Sequence, residues 1–464
     1  MYVAAWLAAP TPAAGAGRGA IAPEWGLPRL LPRPLAPPLP AMTELAESPL
    51  FAGERHTRVD EARAAIARAV QPVAEVQELA LPQALSRVLA ADLLSPIDVP
   101  PHDNSAMDGW AFDGAALRED EAVELLLVAG TAFAGAPWGQ PVAAGQCLRI
   151  MTGAVMPEGC DTVVPQELCR VQGERVTIGP GVVKRGENRR RRGEDLACGR
   201  VALAAGRVLR PADLGLLASL GGTRVSVRRR VRVALFSTGD EVREPGQPLP
   251  PGCIYDSNRY SLRAALQRLD CEVIDLGLVA DDPAALRATF ARACAEADAV
   301  LTSGGVSVGE ADHTRALMAE LGDVAFWKVA MRPGRPFAFG PLRGPQRPVW
   351  LFALPGNPVA ALVTFYAFVR EALLQLAGAT PQPLPALRLP CTTPIRKRPG
   401  RTEFQRAIVA ADAQGAFSVR LTGSQGAGVL RSLSEANALV VLGHDEGSVS
   451  PGDAVTVWLF DGLV

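Results

Sequence analysis

Short apolar runs, each stopped by glycine, proline or acids, alternate along the chain with stretches whose apolar residues recur every third or fourth position. The pattern is clearest in VRVALFSTGD (231–240), which is β-favouring, halts at Ser237, Thr238 and Gly239, and then presents Asp240 and Glu241. Such a run predicts a buried parallel strand opening into a polar loop. CEVIDLGLVADD (271–282) ends in Asp281 and Asp282. ADAVLTSGGVSVGEAD (297–312) ends in glycines, then Glu310 and Asp312, and VWLFALPGNP (349–358) ends in a Pro-Gly-Asn-Pro turn. Helical periodicity fills 259–269, 283–296, 313–321 and 357–376. This alternation predicts a central, doubly wound, mostly parallel α/β domain over 229–378, with ligands at the C-terminal strand ends beside a topological switch point.

The flanks read differently. Residues 1–50 are Ala- and Pro-rich without periodicity, which predicts a disordered extension or a start at Met42. MYVAAWLAAP lacks the basic flank of a signal peptide and is cut at Pro10. Residues 51–100 and 186–228 read as an N-terminal helical and linker domain, with helices over Val59–Val70, over Leu81–Val88 behind Pro82, and over 208–221. Thr57 is placed to cap the first. Between them, 101–185 alternates short apolar runs with Gly and Pro breaks, as an inserted β domain does. Residues 379–400 hold six prolines and read as a linker, followed by period-two runs FSVRL, ALVVL and AVTVWLF. A C-terminal β-barrel domain over 379–464 is expected. The fold class is therefore multidomain α/β plus β.

Composition narrows the function. Lys plus Arg number 47 and Asp plus Glu 48, for a net charge of −1, so no global positive field exists to hold nucleic acid or an anionic membrane. The 8 Cys and 4 His are scattered without metal-ligand spacing, which argues against zinc and against a disulfide framework and fits a reducing, cytoplasmic setting. No continuous apolar run reaches the roughly 18 residues of a membrane span.

Chemistry must then act locally. Asp240, Glu241, Asp281, Asp282, Glu310 and Asp312 converge if their strands are parallel. Two carboxylates about 4 Å apart repel by roughly 4 kcal/mol at an effective dielectric near 20, so such a cluster needs protons or a cation. Oxygen donors favour Mg2+ shared with substrate phosphates; the alternative is that the acids line solvent-facing loops. Ser303, Gly304, Gly305, Ser307 and Gly309 leave backbone N–H groups free to cradle phosphate. Lys328, Arg332 and Arg335, on a hairpin joined by MRPGRP, supply attraction for an oxyanion. DNSAMDG (103–109) predicts a side-chain-bonded turn presenting Asp108, and Thr152 closes a strand. The run Arg189–Arg192 before Glu194 and Asp195 reads as a solvated turn or as a loop handling both an anion and a cation.

The strings DNSAMDGWA, RIMTGA, RRRGED, FSTGDE, DDP, TSGGVSVGEAD, FWK, PGRPFAFG and LPGNPVA occur in this order. Together they resemble the MoeA family of molybdopterin molybdotransferases, and the chain is similar to the E domain of gephyrin over about 48–464. The resemblance implies insertion of molybdate into adenylylated molybdopterin, with Mg2+-dependent release of AMP, as the final step of molybdenum cofactor biosynthesis. It implies roles near Mg2+ and the pyrophosphate for Asp240, Glu241, Asp281 and Asp312, with Asp240, Glu241 and Asp312 as metal candidates. It places Lys328 and Arg332 near molybdate and Pro355 and Pro358 in the LPGNP turn. Arg401 and Ser424 match C-terminal loops. Asp108, Thr152, Arg190 and Asp195 match positions that face the cleft of the other subunit of a homodimer. Contact with a molybdopterin adenylyltransferase and with receiving molybdoenzymes is also implied. The hairpin departs from the family's K-P-G-K-P, reading R-P-G-R-P, which bears on molybdate against tungstate. An adenylyltransferase, whose fold resembles the central domain, and a non-catalytic scaffold are the alternatives.

Overall fold

The computed structural model describes residues 56–304, 312–382 and 384–462, without the side chains of 312–316 and 462. The expectations for residues 1–50, Gly305, Ser307, Gly309 and Glu310, and for the Asp312 side chain, lie outside the described residues.

The apolar run at 231–240 forms strand β1 (Arg232–Thr238), buried from Val233 onward. After it come α1 (Asn258–Arg268), β2 (Glu272–Val279), α2 (Pro283–Glu296), β3 (Ala299–Ser303) and α3 (Asp312–Leu321). The domain ends with β4 (Ala325–Lys328), β5 (Pro336–Leu342), β6 (Val349–Leu354) and the helix α4 (Pro358–Leu376). The sheet order is β2-β1-β3-β6-β5-β4. Strands β2, β1, β3 and β6 are parallel, while β5 runs antiparallel to both β6 and β4. That is the expected doubly wound, mostly parallel sheet. Its antiparallel edge arises because a tight turn returns the chain where a parallel neighbour would need a crossover helix.

Alternation along β1 sorts the layers. Val233 and Leu235 pack with Leu262 and Leu266 of α1 and with Val363 and Phe365 of α4. Ala234 and Phe236 pack with Leu286 and Phe290 of α2 and with Leu317 and Met318 of α3. The helices that follow β1 and β3 therefore leave on opposite faces, and the ends of these two strands form the switch point. Helix α4, with mean hydropathy 1.5, is long and apolar enough to cross a membrane, but 72% of it is buried in the protein. Core packing accounts for its composition.

The N-terminal flank departs from expectation. The helix Val59–Ala69 forms, but it packs into the central core beside Phe368 and Leu376. Thr57 does not cap it; Arg58 holds that position, and Thr57 pairs with Val329. The second expected helix is absent. Val76–Ala80 is a strand paired antiparallel to Arg224–Arg228, and only one 3-10 turn, Leu81–Gln83, follows. The third, Pro211–Ser219, is present.

Residues 109–178 form the inserted β domain, a six-stranded sheet packed on both faces. The proline-rich linker is shorter than read, because Ala386–Pro390 joins the last sheet as a strand paired with Ala454–Leu459. That sheet curls until Cys391 bridges Val419, giving the expected barrel-like C-terminal module. It also takes in Met331–Arg332 of the central hairpin, paired parallel to Thr402–Glu403.

Candidate active site

Because β1, β2, β3 and β6 are parallel, the loops bearing Asp240, Asp281, Gly304 and Pro355 leave one rim of the sheet. Strand β4 runs parallel to β6 through β5, so Lys328 and the turn 329–335 lie at that same rim. At about 4.8 Å per strand, the acids after β1 and the hairpin after β4 stand roughly 19 Å apart along it. The rim is thus a long shelf, acidic at one end and basic at the other. Asp240, Glu241 and Asp281 are exposed there, while Asp282 caps α2 by accepting from the Ala285 N–H at 2.8 Å. Among the described residues, no three His, Cys, Asp or Glu side chains form a metal cage.

The middle of the shelf is built for close backbone approach. Gly304 follows β3 at φ +95°, and a Cβ there would lie 2.4 Å from the Thr238 carbonyl oxygen. Only glycine tolerates both conditions. Asn258, opening α1, donates through Nδ2 to Ser303 Oγ and to the Gly356 carbonyl, each at 2.7 Å. It ties the switch point to the LPGNP turn, in which Pro355 is buried and Pro358 starts α4. The hydroxyls of Thr238 and Thr302 are buried nearby and have no hydrogen-bond partner among the described residues. Sequence reading missed Asn258; its position two residues beyond Asp256 at a helix start was the available signal.

Beneath the acidic loop lies a charged hub. Arg259 donates to Asp256 (Nε, 3.1 Å) and to both oxygens of Asp275 (Nη1, 2.9 and 2.8 Å), and through Nη2 to Glu244. Burial alone would lower the Arg259 pKa, but Asp275 and Asp256 outweigh it and raise the value.

Lys328, Arg332 and Arg335 are exposed on the hairpin. Arg332 lines a cavity of about 220 Å³ with Arg396, Arg406, Glu403, Gln405 and Gln425. Arg406 is 1% exposed and donates to Ser432 Oγ (3.1 Å) and to the carbonyls of Ser424 (3.1 Å) and Gly426 (3.0 Å). Burial, with Arg332 nearby, pulls its pKa down to about 10. The expected Arg401 pairs with Glu403 at 2.7 Å. The Ser424 loop reaches the LPGNP turn, where the Val359 N–H donates to the Ala427 carbonyl at 3.1 Å. Arg396 and Arg406 were not read from the sequence, since nothing local marks them as facing Arg332.

A second patch joins four N-terminal expectations. Arg189–Arg190 pairs with Asn104–Ser105, and Asn104 bridges Val155. Thr152 donates to Asp108 Oδ1 through both Oγ1 and its N–H, each at 2.7 Å. These bonds hold the Asp108 pKa below its usual value. Ser105 forms the expected side-chain turn with Met107. Within the arginine run, Arg189 pairs with Asp103 and Arg192 with Asp98; Arg190 is exposed, as is Asp195 further along the loop. The hydrogen bonds described for the patch stay within this N-terminal module.

Three regions of the chain match family profiles: "MoeA N-terminal region (domain I and II)" at 57–221, "Probable molybdopterin binding domain" at 234–375, and "MoeA C-terminal region (domain IV)" at 388–460. The chain is 41% identical to the molybdopterin molybdenumtransferase of Haemophilus influenzae over 407 residues, covering 88% of this chain and 99% of that one. It is 39% identical to the Nostoc protein of the same name, covering 80% and 86%. A molybdopterin biosynthesis moeA protein from Pyrococcus horikoshii superposes with a TM-score of 0.75 at 27% identity, covering 88% of this chain and all of that one, 100%.

Proposed function

The chain belongs to the MoeA family, and from that premise we propose how its residues carry out the family's transfer. It is a molybdopterin molybdenumtransferase of molybdenum cofactor biosynthesis. We infer that the substrate is adenylylated molybdopterin, that molybdate is the metal donor, and that AMP leaves. The observation that carries this reading is the shelf: acids, a glycine-bounded middle and a basic hairpin share one rim. A pyrophosphate flanked by pterin and adenosine is long enough to lie along it.

The Gly304 N–H donates to the Leu354 carbonyl at 3.2 Å and Ser303 is the last rung of β3, so neither offers the free N–H expected of it. In this reading the diphosphate lies against the Cβ-free face of Gly304, and Asn258 keeps the two neighbouring turns in register. Lys328, Arg332 and Arg335 hold molybdate, with Arg401, Ser424 and the buried Arg406 lining the far side. Arginine grips an oxyanion with two parallel N–H groups. The oxygen-only acids Asp240, Glu241 and Asp312, with Asp281 beside them, suit Mg2+, which when bound supplies charge neutralisation at the pyrophosphate. Burial pushes Cys147, Cys160 and Cys271 up to about 12, which makes these three thiols poor candidates for molybdenum ligands. The dithiolene of the substrate fills that role. Asp108, Thr152, Arg190 and Asp195 are proposed to complete the cleft of the second subunit of a homodimer. Eight unpaired cysteines suit a cytoplasmic setting.

The test is incubation with adenylylated molybdopterin, Mg2+ and molybdate or tungstate, following AMP. Asp240→Ala should abolish AMP release with the fold intact, and EDTA should do the same to the native protein. Unchanged turnover in the variant and in EDTA would remove the acids from the reaction. AMP transfer from ATP onto molybdopterin would instead indicate an adenylyltransferase.

A further inference from the structure

The acids at the start of the rim sit on a long excursion, residues 239–257, between β1 and α1. Such a segment is costly to hold in one place unless something ties it down. Its own ties are few: a two-residue parallel pair, Val242–Arg243 with Ile254–Tyr255, in which the Ile254 N–H donates to the Glu241 carbonyl at 2.9 Å. The Asp256 N–H likewise donates to the Arg243 carbonyl at 2.9 Å. Within the excursion Arg243 Nη1 also donates to the Asp240 carbonyl at 2.7 Å and Tyr255 Oη to the Gln247 carbonyl at 2.9 Å, and from α1 Tyr260 Oη donates to Glu244 at 3.5 Å. The tie that reaches β2 as well as α1 is Arg259, 7% exposed in the first turn of that helix. A cation there opposes the helix dipole, so its presence needs compensation. Three carboxylates supply it, and each belongs to a different part of the site. Glu244 lies within the excursion, Asp256 ends it, and Asp275 lies on β2. Asp256 also accepts from Ser237 Oγ of β1 at 3.2 Å and from the Arg259 N–H at 3.1 Å.

We propose that Arg259 is a positioning residue that fixes the Asp240–Glu241 loop on β2 and α1, so that the acids meet the cation and diphosphate in register. This rests on the reading above, in which those acids hold Mg2+. A planar guanidinium reaches three carboxylates at once, whereas an ammonium is a point charge on a flexible stem. Arg259→Lys therefore keeps the charge and loses the fork. Glu244→Gln weakens the arm to the excursion, where Glu244 also accepts from Tyr260 Oη at 3.5 Å, at the solvent-facing end of the hub, and covers the case in which the first variant folds poorly.

Two readouts separate the outcomes. By hydrogen exchange, the amides of Ile254 and Asp256 should lose protection in both variants while those of β2 and the body of α1 keep theirs. In AMP release, the Mg2+ concentration at half-saturation should rise about 10-fold or more, with the KM for adenylylated molybdopterin little changed. Wild-type protection of both amides in both variants overturns the proposal. Lost protection with unshifted Mg2+ dependence, or lost protection in variants of an enzyme indifferent to divalent ions, supports Arg259 as the tie and strikes down the metal reading instead.

Discussion

Asp108 illustrates what a single neighbour does to a carboxylate proposed for the cleft. The Thr152 hydroxyl and N–H both donate to one of its oxygens, which holds it ionised to lower pH than an ordinary aspartate. Thr152→Val removes the hydroxyl bond and should shift the Asp108 titration upward, toward its usual range, in a carboxyl-carbon NMR titration. The acid limb of activity should move up with it. Gly304→Ala probes the rim differently, since the added carbon meets the Thr238 carbonyl at a left-handed φ. A loss of about 1–3 kcal/mol in urea unfolding is expected, with weaker binding of the diphosphate. At this scale the sequence was legible where chemistry is local. The pairing of Asp108 with Thr152, by contrast, requires two strands to be neighbours. Arg406 was illegible, because a lone arginine in a strand announces neither its burial nor the cavity it lines.

Among elements, a buried ion-pair cluster outside the site lies at the opposite end of the sheet. Asp298, 1% exposed, precedes β3 and accepts from Arg229 Nη1 at 2.8 Å and Nη2 at 3.1 Å, and from Arg347. Glu75 accepts from the same two arginines at 3.2 and 2.8 Å, binding the linker ribbon to the central domain. Asp298→Asn leaves two guanidinium groups short of a counter-charge and should cost about 3–5 kcal/mol in chemical denaturation. Glu75 gives the pH signature. Burial would raise its carboxyl, but a backbone hydrogen bond, Arg347 and Arg229 prevail and lower it from 4.5 to about 2. A depressed carboxyl stabilises fully above the higher value and loses its contribution as pH falls toward the lower one. Glu75→Gln should flatten the stability profile across that window and leave neutral stability only slightly reduced, because the side chain is half exposed. The ribbon itself was misread from sequence. Leu81, Ala84, Leu85 and Val88 are spaced as a helix would space them, but only the 3-10 turn Leu81–Gln83 forms, and Val88 and Leu89 bridge to Val208 and Val227, distant partners that decide the conformation. The inner parallel strands β1, β3 and β6 were legible because each is buried almost throughout and ends in its own punctuation.

For the whole molecule, the N-terminal patch and the central shelf hold complementary halves of the expected residue set. If each cleft takes one half from each subunit, mixing inactive Asp108→Ala and Asp240→Ala proteins under subunit exchange should restore AMP release. Up to about half of the mixed dimers' clefts would then be intact by symmetry; absence of any recovery would place both halves in one subunit. The hairpin offers a second expectation. The Ala330 N–H donates to the Thr57 carbonyl and the Ala330 carbonyl accepts from the Thr402 N–H, both at 2.8 Å. Three segments far apart in sequence therefore share one rung beside the residues proposed to receive the oxyanion. If an anion seats at Arg332 as proposed, it acts as a latch on a peptide that already fastens the start of the N-terminal helix and the last barrel, so filling that seat should toughen both of those flanking modules against proteases at once.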